Sequence, residues 1–207
     1  MSRIRIQTIA AEAAWPLRQA VLRPHQSLAD CRFPGDDAAG AFHLGGFGAD
    51  GQLVAVASFS PEGAPAELRA ALGPAAEPER EDKDWRLRGM ATLPDWRGQG
   101  MGQALLMEGL AQLKAQGAAV LWCNARLGAL AFYFRLGLIA VGEEFDLPGI
   151  GLHRLLGCRV GGGGGDGDSG SGRGGSAGRP GLRRNSAPGA ARRGGDLRPL
   201  RAAPRRA

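Results

Sequence analysis

Cysteine is scarce in this chain and tyrosine nearly absent, with 3 and 1 among 207 residues. Cys31, Cys123 and Cys158 are far apart, odd in number and free of any Cys-x-x-Cys pair. That excludes a disulfide framework and a structural zinc site; no metal is expected, and a reducing, cytoplasmic setting is. Also lacking are an apolar segment behind Met1-Ser2-Arg3 and any apolar run of roughly 18 residues. Neither a secretory leader nor a membrane partner is therefore expected.

Excess charge is missing from most of the chain. Residues 1–158 hold 15 Lys/Arg against 17 Asp/Glu, whereas residues 159–207 hold 11 Arg against 3 Asp. The net charge of +6 thus belongs to the tail and is no nucleic-acid signature of the folded part. That tail opens on five glycines, holds 15 Gly in 49 residues and has almost no large apolar side chains. It cannot bury enough surface to offset its ordering entropy, so it is read as a disordered extension to a domain at 1–158. Weak, nonspecific nucleic-acid binding through charge is the most it suggests.

Within 1–158 the patterns alternate between strand and helix. Residues 3–7 alternate polar and apolar as a half-buried strand. Residues 10–22 read as a helix with Trp15, Leu17 and Val21 among its core positions, Pro16 being tolerated if the helix proper begins there. Residues 25–40 are a polar, Asp-rich loop placed to cover a substrate site. Asp50-Gly51 between the apolar runs 41–48 and 52–59 signals a hairpin. Residues 61–83 are mostly connection, with a short helix around 65–72. A strand follows at 84–93, in which Arg86 and Arg88 alternate with Trp85 and Leu87, leaving one face polar. That face is either solvated or set to meet phosphates or an acidic acceptor. Residues 118–123 form a strand buried on both faces, 126–136 a second compact helix, and 138–145 and 151–158 two last strands. The expected fold is α/β (α+β), a mixed, largely antiparallel sheet of about six to seven strands with helices on both faces.

One stretch carries chemistry. The strand at 84–93 runs into Arg97-Gly98-Gln99-Gly100-Met101-Gly102, and a helix follows with Leu105, Leu106, Leu110 and Leu113 on one side. Glycines at a strand-to-helix junction let the backbone approach a ligand, and the first helical N–H groups form an anion site suited to phosphate. A dinucleotide fingerprint is disfavoured, because the loop lies midway along the chain and no acidic residue closes the next strand.

Joined to Gly89-Met90-Ala91-Thr92-Leu93-Pro94, Trp122-Cys123-Asn124-Ala125-Arg126 and Ala131-Phe132-Tyr133, that loop resembles the GNAT superfamily of acyl-CoA-dependent N-acyltransferases. The resemblance spans residues 3–158 and is nearest to a poorly characterised bacterial branch. It implies that Arg97, Gly98 and the amides of Gln99, Gly100, Met101, Gly102 and Gln103 hold the pyrophosphate of acetyl-CoA or another short acyl-CoA. It places a strand bulge at Met90, Ala91, Thr92 and Leu93, whose backbone meets the pantetheine. Asn124 positions the cofactor, although capping the next helix is an equal reading for it. Phe132 walls the cofactor side, and Tyr133 is the general acid for the departing thiolate. The strand before the loop carries no carboxylate after Asp84, so the base is unassigned among Glu143, Glu144 and His153. The implied reaction is N-acetylation of a small-molecule or peptide amine by a monomer or homodimer. The alternatives are a non-catalytic acyl-CoA-binding module and a basic nucleic-acid-associated protein acting through its tail.

Overall fold

The computed structural model describes residues 4–73 and 82–161; the tail expected to be disordered lies, from residue 162 on, outside them. Seven strands form one sheet: β1 (Arg5–Ile9), β2 (Phe42–Phe47), β3 (Leu53–Pro61), β4 (Asp84–Thr92), β5 (Val120–Arg126), β6 (Ile139–Leu147) and β7 (Gly151–Arg159). Their order is β1-β2-β3-β4-β5-β7-β6, with every neighbouring pair antiparallel except β4–β5. Four helices cover it: α1 (Ala11–Leu22), α2 (Ala66–Leu72), α3 (Met101–Ala115) and α4 (Leu130–Arg135). The mixed, largely antiparallel sheet with helices on both faces is as expected, and the short helix in the 61–83 connection is α2.

Strand periodicity sorts the two faces. On β5, Val120 and Trp122 pack with Leu68 of α2 and Leu155 of β7. Leu121, Cys123 and Ala125 turn the other way, into a core shared with Leu105, Leu106 and Leu113 of α3 and Tyr133 of α4. α1 lies on the α2 side, where Ala14 and Leu17 pack on Val56 and Ala91. Local chemistry supports the turns: Gly51 has φ 83°, and the Asp50 carboxylate accepts the Gln52 N–H in the β2–β3 hairpin.

Several boundaries differ from the sequence reading. α1 starts at Ala11, which places Pro16 inside it, on the exposed side. Its buried face is Ala11, Ala14, Leu17 and Arg18, while Trp15 and Val21 are only half-buried. β5 begins at Val120 and stays paired with β7 as far as Arg126 opposite His153. That ladder keeps residues 124–126 extended, so the helix expected from 126 starts only at Leu130, after a short turn at Leu127–Ala129.

Arg18 is fully buried. Its guanidinium donates two hydrogen bonds to the Asp36 carboxylate (2.6 and 2.9 Å), one to the Cys31 carbonyl and one to Ser58 Oγ. Ser58 in turn meets His43 Nδ1 at 2.7 Å, and His43 Nε2 donates to the Asp36 carbonyl. Both ring nitrogens of His43 are thus taken up within the fold. Burial alone would raise the Asp36 carboxyl, but the bonds from Arg18 and the Phe33 N–H, with the Arg18 charge, hold it below its ordinary value.

Asp36→Asn leaves a buried cation without its counter-ion and is expected to cost about 3 kcal/mol in urea unfolding at neutral pH. Because the folded-state pKa of Asp36 is lowered, its contribution is full above the ordinary carboxylate range and fades as pH falls through the lowered value. The stability gap between wild type and Asp36→Asn should therefore close in acid.

Candidate active site

β4 and β5 pair over only three residues, the last being Arg86 opposite Trp122. Beyond that point the strands diverge, and the β5-facing edge of β4 has no strand partner. On its other edge β4 carries a bulge. Val56 faces Ala91 and Ser58 faces Arg88, so Gly89 and Met90 share the single position opposite Ala57. Gly89 sits at φ +60°, and a Cβ there would stand 2.5 Å from Arg18 Nε. Positive φ and the crowding by Arg18 together call for glycine at the bulge. The irregularity begins at Gly89, one residue before the expected stretch; Ala91 and Thr92 are already back in register, and the Leu93 N–H bonds the Val54 carbonyl.

A cavity of about 370 Å³ fills the divergence. Gly89 and Met90 line it from β4, Asn124 and Arg126 from β5, and Tyr133 from α4. Phe33 and Pro34 of the 25–40 loop close one side, the Pro34 carbonyl accepting from Arg88.

The glycine loop leads into α3 beside this opening. Gly98 (φ +73°) and Gly100 (φ +83°) adopt left-handed backbone, and residues 97–100 are exposed. The first helical bond runs from the Ala104 N–H to the Gly100 carbonyl, which leaves the amides of Met101, Gly102 and Gln103 without intrahelical partners. Arg97 and Gln99 turn back to the Thr92 and Asp95 carbonyls, bracing the loop. The Met101 side chain is buried and anchors the helix start. A Cβ on Gly102 would lie 3.3 Å from Met90 and 3.4 Å from Phe132. The α3 terminus, the bulge and Phe132 thus converge, at an end suited to an anion.

Tyr133 is buried, packs edge-on against Phe132, and points its hydroxyl at Met90 Sδ, 3.5 Å away. Burial, with Cys123 nearby, pushes its pKa well above the ordinary phenol value, so the group is held protonated as a donor. Asn124 lies within β5 opposite Leu155 and lines the cavity; it caps no helix, because the strand continues past it.

The three base candidates are not brought together. Glu143 and Glu144 are exposed on β6, where Gly142, Glu143 and Glu144 bulge out opposite the single position of Arg154, and neither lines the cavity. His153 is buried on β7 opposite Arg126, its Nδ1 donating to the Gly151 carbonyl. It shares the Arg126 face of the sheet without lining the cavity.

Arg18, Arg23, Glu62 and Arg126 have no role assigned from the sequence. Only Arg18 left a usable sign, a charged residue at +4 from Ala14 and +7 from Ala11 on the buried stripe of α1. Glu62 takes up the Arg86 and Arg88 guanidiniums. Trp122 is buried outside the cavity, with Arg86 stacked 4.2 Å over its ring and its Nε1 donating to the Glu62 carbonyl.

A mixed sheet opened at one parallel pair, with a glycine loop and helix start at the opening, defines the acyl-CoA N-acyltransferase architecture. Comparison with known proteins agrees. The family model for the acetyltransferase (GNAT) family matches residues 9–138, and the chain belongs to that family as a GNAT-type N-acetyltransferase. The uncharacterized N-acetyltransferase YitI of Bacillus subtilis is 40% identical over 150 residues, 72% of this chain and 92% of that one. Among solved structures, the ribosomal-protein-S18-alanine N-acetyltransferase of Escherichia coli superposes with TM-score 0.56 at 18% identity, covering 79% of this chain and 98% of that one. FeeM, an N-acyl amino acid synthase from uncultured soil microbes, gives 0.57 at 13% identity over 77% and 92%. At such identities the two structures speak for the fold alone.

Cys123 lines the cavity but is no nucleophile, since burial pushes its thiol up to about 12. Iodoacetamide should leave Cys123 unmodified in the folded protein at pH 8 and alkylate it after denaturation, as peptide mass spectrometry would read.

Proposed function

We propose that the protein transfers an acetyl or other short acyl group from acyl-CoA to a primary amine by direct attack on the thioester, with Tyr133 as general acid. The observation that carries this reading is the convergence on one opening of a protonated phenol, a strand bulge and an open helix terminus. The loop fits a pyrophosphate: glycines 98 and 100 hold positive φ, the amides ahead of Ala104 lack helical partners, and Gly102 leaves room that a Cβ would take from Met90 and Phe132. Gln99, Gly100, Met101, Gly102 and Gln103 would hold it, with Arg97 and Gly98 shaping the approach. Acyl-CoA supplies an activated carbonyl and a thiol leaving group.

The chain's own residues do the rest. The free edge of β4 past Arg86, with the bulge at Gly89 and Met90, offers backbone donors and acceptors to an extended amide chain. An N–H there stabilises charge developing on the carbonyl oxygen. The amine nitrogen forms a bond to the carbonyl carbon, the carbon–sulfur bond breaks, and the Tyr133 proton goes to the sulfur; the proton shed by the attacking nitrogen leaves to water, from which the Tyr133 phenolate is reprotonated. Asn124, between the cavity and β7, orients what enters from the far side. None of the three base candidates lines the cavity, so the amine enters neutral or loses its proton to solvent.

The test is thiol release from acetyl-CoA with a panel of amines. Tyr133→Phe should lower kcat by about 100-fold while KM for acetyl-CoA stays within about twofold. Binding of acetyl-CoA with no turnover of any amine would instead favour the non-catalytic module. Gly100→Val, which forces a β-branched residue to positive φ, should weaken acetyl-CoA binding by about tenfold in calorimetry without unfolding the chain.

A further inference from the structure

The cavity is cationic on the face away from the pyrophosphate loop. Four arginines line it, Arg23, Arg86, Arg88 and Arg126, and among the described residues no Asp or Glu does. Strand parity puts Arg86, Arg88 and Arg126 on the α1 and α2 side of the sheet, whereas the loop and α3 lie on the other. The phosphates held at the α3 terminus therefore do not neutralise them.

Two of the four are already partnered. Glu62 binds both Arg86 (2.5 Å) and Arg88 (3.0 Å). Arg23 and Arg126 are different. Arg126 donates to the Leu22 carbonyl, and Arg23 donates to the Asp30 carbonyl and stacks 4.5 Å over Phe33. Neither has a carboxylate within ion-pair distance among the described residues. Both are half-buried, and each guanidinium keeps N–H donors unused. Burial and the proximity of Arg23 hold Arg126 below the ordinary arginine value, which reflects a cation short of a counter-charge. Half-buried like charges without a counter-ion cost stability, and a bound anion removes that cost.

We infer that the acceptor amine carries an oxyanion, a carboxylate or a phosphate, which docks on Arg23 and Arg126 at the acceptor end of the cavity. The inference rests on the N-acyltransferase reading and narrows it to anionic amines such as amino acids or phosphorylated amino alcohols. Guanidinium forks bind either group in bidentate geometry and disfavour a purely cationic acceptor. Phe33 gives the site a wall of fixed orientation, because its ring is stacked by Arg18 on one contact and by Arg23 on another, each 4.5 Å away.

The experiment compares matched acceptors on the full-length protein with acetyl-CoA: L-phenylalanine against phenethylamine, β-alanine against propylamine, and O-phosphoethanolamine against ethanolamine. The anionic member of at least one pair should show kcat/KM higher by about tenfold or more, and which pair does so separates carboxylate from phosphate. Arg126→Gln and Arg23→Gln should each raise KM for that acceptor by about tenfold and leave KM for acetyl-CoA within about twofold. Acetyl-CoA binding by each variant shows that it is folded. Equal or better turnover of the uncharged-tail partners, or an unchanged acceptor KM in both folded variants, would overturn the inference. If acetyl-CoA binds but no amine is acetylated, the transferase reading fails separately. The oxyanion site is then judged by tryptophan fluorescence on titration with O-phosphoethanolamine and with N-acetyl-L-phenylalanine. Saturable binding lost in Arg126→Gln supports it, and no binding of either probe to wild type overturns it.

Discussion

A guanidinium shut off from bulk solvent sets the terms for this structure. Arg18 stands on the buried stripe of α1, and an unpaired charge there would be too costly to keep. It is satisfied only if Asp36, the Cys31 carbonyl and Ser58 come to it, and these lie 18, 13 and 40 residues away. Meeting that demand folds the 25–40 loop onto the sheet, which sets Phe33 and Pro34 against the cavity. The same side chain crowds Gly89, so the β4 bulge carries a residue without a Cβ. One buried cation thereby connects the wall of the cavity to the backbone irregularity at its floor.

The bulge and the short β4–β5 ladder act together. Parallel pairing ends at Arg86, and the next residues of β4 are displaced by an extra residue on the opposite edge. The gap this leaves passes between the two faces of the sheet. On one side are Tyr133, Met90, Phe132 and the α3 terminus; on the other are Asn124, Arg126, Arg88 and the α1 end with Arg23. Chemistry that needs a donor from one side and an acceptor from the other requires such a passage, which a fully paired sheet would not provide.

What the sequence disclosed depended on distance along the chain. The Asp50-Gly51 hairpin, the Arg97 to Gly102 loop and the start of α3 are local, because their causes are backbone preferences of adjacent residues. The seven strands were also readable, since apolar periodicity is local too. The end of β5 was not: Arg126 stays extended because His153 pairs with it, and no local signal announces that. Arg18 was missed because a helix pattern marks a buried position but does not name the carboxylate that will neutralise it. Glu143 and Glu144 looked available because sequence gives no sign that the β6 bulge turns them outward. Arg23 and Arg126 meet only in three dimensions, one at the end of α1 and the other at the end of β5.

The absence of a carboxylate from the cavity and the excess of arginine there bear on the same step. An ammonium must lose a proton before its nitrogen can attack, and a strong base on β4 is missing. A positive surround disfavours the ammonium form and lowers its pKa, so less basicity is needed to free the lone pair. Glu62 is held by Arg86 and Arg88, which leaves the four-arginine lining of the cavity net positive. On the proposed reading an acceptor with its own oxyanion overcomes the repulsion on entry by binding Arg23 and Arg126, so the arginines that repel a bare ammonium are the ones that select the acceptor.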